Sequence, residues 1–129
     1  MHPSPEIVSP SQRPLRDLLL QLPLLPVNAA HEIDYAASDP AVLVQIAANA
    51  YTCQQTVQRG VSGIGHLLAR AAPDIELAAI PSDCIEALGF LMAELGDLAS
   101  VAQSLSAACL RYTADYQPSQ LVPSPSAKP

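Results

Sequence analysis

Residues 43–71 read LVQIAANAYTCQQTVQRGVSGIGHLLARA and residues 88–116 read LGFLMAELGDLASVAQSLSAACLRYTADY. In the first, Leu43, Ile46, Ala50, Cys53, Val57, Gly60, Ile64, Leu67 and Ala71 follow a 3,4 alternation of apolar or small residues through four heptads. In the second, Leu88, Leu91, Leu95, Leu98, Ala102, Leu105, Cys109, Tyr112 and Tyr116 do the same. A strand would need a period of two, so the spacing predicts two long helices, each with a continuous apolar seam. Helices of matched length joined by about ten residues form an antiparallel hairpin. The leucines of the second seam face the small Ala50, Cys53, Gly60 and Ala71 of the first, so large side chains fill the gaps left by small ones.

Local signals set the boundaries of a hairpin domain over 39–116. Asp39 as N-cap and Pro40 at N1 start the first helix. Arg70 complements the dipole at its end, before Pro73. That is about 32 residues, or roughly 48 Å. Gly60, Gly63 and Gly65 are expected to allow a kink or a break. Residues 73–79 are expected to form one short turn closed by Pro81. Asp83 with Glu86 three residues on resembles a capping box, and the second helix runs from there to about Tyr116.

Residues 15–38 form a Leu-rich arm and an irregular connector. Pro14 can open a short helix through Leu18, Leu19 and Leu22, which Pro23 terminates. Leucines this dense need cover, and the small-residue ridge of Gly89, Ala93 and Gly96 offers a place to dock them. Residues 1–14 and 117–129 are rich in Pro and Ser and are expected to be disordered.

The composition excludes several classes of function. The 129 residues contain 50% hydrophobic but only 14% charged residues, with one Phe and no Trp, so the core is aliphatic. A net charge of −6 with six cations offers no basic stripe to a phosphate backbone, which argues against nucleic-acid binding. A basic or apolar protein surface suits the chain better. Three cysteines with no CxxC pair argue against a disulfide framework and for a reducing, cytoplasmic setting. Polar residues interrupt both seams before 18 apolar residues accumulate, so no membrane span is expected.

Every candidate for chemistry has a simpler reading. Gly60 to Gly65 has the glycine density of a phosphate loop but the order GxxGxG, without Lys or a preceding strand. If the hairpin closes near residue 77, Cys53 lies level with about residue 101, too far along the axis from Cys84 and Cys109 for one zinc ion to join them. The cysteines then read as small buried hydrophobes. Glu94 and Asp97 lie one turn apart with no His or Lys to partner them, the pattern of a solvated patch. No catalytic, cofactor-binding or metal-binding residue is assigned, and the chain reads as a non-enzyme.

The run PSDCIEALGFLMAELGD over residues 81–97, with the Ala-rich and nearly Lys-free composition, resembles short helical hypothetical proteins of GC-rich proteobacteria classed as domains of unknown function. The resemblance implies a bacterial source and carries over no activity or site residue.

Further apolar side chains lie off the seams: Val42, Val44, Tyr51, Val61 and Leu68 on the first helix, and Ile85, Phe90, Met92, Val101 and Leu110 on the second. Faces with so little charge are expected to be covered by the arm, a second copy or a partner. The expected function is that of a small helical adaptor, chaperone or regulator, completing a helical bundle as a homodimer. The alternative is a secreted or host-directed protein. Arg13 and Arg16 precede an apolar run from Leu18 to Leu25 and the small residues Ala29 and Ala30, the order of an export leader over residues 1–30. Asp17, Pro23, Pro26 and Glu6 break that pattern.

Overall fold

The computed structural model describes residues 12–117. It is all-α: helix α1 (Pro14–Gln21), a 3-10 turn (Leu22–Leu24), and the long helices α2 (Pro40–Glu76) and α3 (Ser82–Tyr112), which pack together as an antiparallel hairpin. The Pro/Ser-rich stretches expected at both ends fall almost wholly outside the described residues.

α2 starts where its capping residues predict. Asp39 is extended, and its carboxylate accepts the Ala41 N–H at 3.0 Å. Its end differs from expectation, because the helix continues through Pro73 to Glu76. Proline deprives the Ala69 carbonyl of its donor, but Ala69 and Pro73 are exposed, so water can meet that group. Continuing the helix brings Ile75 into partial cover. The three glycines of α2 do not break it either, and a Cβ on any of them would meet nothing within 4 Å.

α2 ends in a Schellman motif. The Ala79 N–H donates to Asp74 O at 2.8 Å, and the Ala78 N–H donates to Ile75 O at 3.0 Å. Ala78 takes the left-handed position with φ 57°, where glycine is usual. α3 begins at Ser82 without a side-chain cap, so the Asp83 and Glu86 capping box is not formed. It ends at Tyr112, short of Tyr116, and Thr113 closes it by donating from Oγ1 to Cys109 O at 2.8 Å.

The buried core lies at the end of the hairpin away from the tip. It joins Leu18 and Leu25 of the arm to Leu43, Ile46, Ala47, Ala50 and Cys53 of α2 and to Ala102 and Cys109 of α3. Ser106 Oγ donates to Ala47 O at 3.1 Å in this core and fixes the register between the helices. The connector contributes as well. Val27 and Ile33 form an isolated antiparallel bridge, the turn between them is held by Asn28 Oδ1 accepting the Ala30 and Glu32 N–H groups, and Ile33 and Tyr35 pack on the core.

The seams run as expected near the core and shift toward the tip. Leu43 is 1% exposed and Ile46 0%, while Val57, Ile64, Leu88, Leu95, Leu98 and Leu105 are half-buried. Leu67 is 67% exposed and Leu91 50%, which corrects their assignment to the seam. Their neighbours Leu68 and Met92 are half-buried instead, as are Val61 and Ile85. On α2 a straight helix of 3.6 residues per turn drifts by about 20° per heptad against a 3.5 repeat, which brings Leu68 inward in place of Leu67; counted back from the core end of α3 the drift runs the other way and does not account for Met92.

Candidate interaction surface

Polar side chains seat α1 on α2. Asn49 Nδ2 donates to Gln21 Oε1 at 2.9 Å, and Gln21 Nε2 donates to Gln45 Oε1 at 3.1 Å. Leu18 is buried and Leu22 half-buried on this contact, whereas Leu19 points to solvent. The arm therefore docks in cis on α2 and does not reach the ridge of Gly89, Ala93 and Gly96. That ridge lies on the opposite face of the hairpin, where Gly96, Ala99 and Ser100 flank a shallow depression of about 480 Å³ with Val57 and Val61.

α1 runs antiparallel to α2, so its first turn lies level with Cys53, Thr56 and Val57. An apolar groove of about 420 Å³ opens there, bounded by Arg13 to Arg16, Cys53, Thr56, Val57 and Leu98. Toward the tip no described element covers its continuation. Leu67 lies eighteen residues past Asn49 and Gly63 eighteen past Gln45, about five turns each, so both stand on the face of α2 that α1 covers lower down. Leu91 lies about two turns from Leu98 and occupies the matching face of α3. The leucines that missed the seam thus stand exposed on the same side of the hairpin as this groove, nearer the tip.

This surface is apolar and carries no activated nucleophile among the described residues. Burial pushes the Cys53 thiol up and the Cys109 thiol up to about 11, so both stay protonated and poorly nucleophilic near neutral pH. Cys84 is exposed, which corrects the reading of all three cysteines as buried. Glu94, Asp97 and His66 are solvent-exposed, and no group of three His, Cys, Asp or Glu side chains among the described residues is placed to hold a metal ion.

No protein family, characterised protein or solved structure matches the chain. No described helix is long and apolar enough to cross a membrane.

The packing of Tyr35 was not legible in the sequence, where residues 26–38 read as an irregular connector. The signal available was an Ile and a Tyr two residues apart within an otherwise polar or small-residue stretch.

Proposed function

We propose that this chain is a non-enzymatic helical interaction protein, an adaptor, chaperone or regulator of the cytoplasm, that binds through the uncovered apolar faces of its hairpin and self-associates. One observation carries the reading: α1 covers only the core end of one side of the hairpin, leaving Leu67 and Leu91 exposed on that side toward the tip. Exposed apolar side chains grouped on one side of a hairpin favour a docked partner, whereas scattered ones need no explanation.

Fluorescence of an apolar-surface dye tests this. At a concentration where the chain is monomeric it should bind dye at neutral pH, and Leu91→Asp should weaken that binding with helicity unchanged. A native chain that binds no dye and no protein removes the proposal.

Leu18 and Leu25 support the cytoplasmic over the exported reading, because loss of residues 1–30 would take both from the core. The mass of the mature N-terminus in the source cell separates the two. Cleavage after Ala29 or Ala30 would favour export.

A further inference from the structure

The uncovered side of the hairpin has ends of opposite charge. At its inner end stands the first turn of α1, with Arg13, Arg16 and Asp17, where Arg16 and Asp17 form an exposed ion pair at 3.2 Å and the turn keeps a net positive charge. At its outer end is the tip, where the charged residues from 70 to 87 are Arg70, Asp74, Glu76, Asp83 and Glu86, all exposed and net acidic. We infer that this side is covered by a second copy of this chain lying antiparallel, so that each acidic tip reaches the partner's Arg13 and Arg16. The inference rests on the proposed role of the uncovered apolar face and names its occupant.

Length, charge and area agree with this pairing. The uncovered stretch from Val57 to Glu76 is about 30 Å at 1.5 Å per residue, and what would fill it is the same stretch of the other copy. A two-fold axis at its middle brings both tips to both α1 N-termini at once, giving a closed, self-complementary interface. A parallel pairing would instead set two net-acidic tips against each other. Two helices side by side present a face about 20 Å wide, so the overlap buries about 600 Å² per copy and about 1,200 Å² in total, the lower end of the range for specific interfaces. The absence of side chains at Gly60 and Gly63 leaves open space above the track for a neighbouring helix to approach.

Two measurements on the full chain decide it. Sedimentation equilibrium should show a dimer, weakened about tenfold in Kd at low salt by Arg13→Glu with Arg16→Glu, and restored by adding Asp83→Lys and Glu86→Lys. Circular dichroism confirms that each variant remains helical. Spin labels on Ala79→Cys in a Cys84→Ser background should lie about 30 Å apart or more, since antiparallel tips sit at opposite ends of the overlap. A label distance below about 20 Å, or a dimer indifferent to charge reversal, overturns the antiparallel pairing while leaving the interaction role intact. A monomer at several hundred micromolar also overturns it, and the dye measurement then decides the broader role by itself.

Discussion

The Tyr35 ring stacks on the Tyr112 ring with centroids 5.3 Å apart and planes 18° from parallel. One ring belongs to the connector and the other to the last turn of α3, so the stack ties the segment after the arm to the end of the hairpin. Tyr112 is about half exposed, and the residue that turns inward beside it is Thr113. The contact therefore lies at the edge of the core and closes it against solvent.

Tyr35→Ala and Tyr112→Ala should each destabilise the chain. A double-mutant cycle by urea denaturation should give a coupling of about 0.5 to 1.5 kcal/mol, the range for aromatic pairs. A coupling near zero would mean that the rings do not meet in solution.

Alanine substitutions along α2 should follow the shifted stripe and not the heptad. Ile46→Ala removes a fully buried side chain and should cost about 2 to 5 kcal/mol. Leu68→Ala should cost about 1 kcal/mol and Leu67→Ala less than about 0.5 kcal/mol, measured by thermal melts at a concentration where the chain is monomeric. A larger loss at Leu67 than at Leu68 would restore the strict 3,4 seam.

Ala78→Gly should stabilise the hairpin by about 0.5 to 1 kcal/mol, because Ala78 holds a left-handed conformation that costs a Cβ-bearing residue strain. Ala78→Val should act in the opposite direction. Paired chemical denaturation curves measure both, and equal stability in all three chains would place the strain elsewhere.

Stability should fall as pH rises from about 9 toward 11. Burial lifts the Cys109 thiol from 9.0 to about 11, so across that window the folded chain keeps a proton that the unfolded chain has lost, and rising pH favours unfolding. Tyr35 adds to the effect at the upper end, since desolvation first, and then the charges of Cys109 and Tyr112, raise its phenol. Cys109→Ala should flatten the dependence between pH 9 and 10.5 in urea titrations. In native protein near pH 8, alkylation should modify Cys84 rapidly and Cys53 and Cys109 only after unfolding. Equal rates at all three thiols would contradict the burial.

Asp39 and Pro40 place the start of α2 correctly because capping is local chemistry, satisfied by an N–H two residues away. The length of α2 was less legible. Pro73 reads as a stop signal, but the orphaned carbonyl of Ala69 costs less where it meets water, and whether Ala69 faces water depends on what packs beside it. The seams of Leu43 to Val57 and of Leu95 to Cys109 read true, but the same rule misplaced Leu67 and Leu91. For Leu67 the reason is phase: over two heptads a 3.5 and a 3.6 repeat are nearly the same pattern, and over four they differ by most of a residue. The hairpin's register was legible from its turn. Cys53 was expected level with about residue 101, and the bond from Ser106 to Ala47 is consistent with that level.

The sequence by itself determined an all-α chain with two long helices, a tight turn between them and a Leu-rich arm in front, because periodicity, caps and prolines act within one or two turns. The tertiary structure alone decided which face of the hairpin the arm covers. Both faces offer small residues, and the choice fell to the side where Gln21 meets Gln45 and Asn49 while Leu18 reaches the core. That choice left the acidic tip and the arginines of α1 at opposite ends of one uncovered side of the hairpin. Such a relationship between distant residues arises only when packing brings them to a common surface.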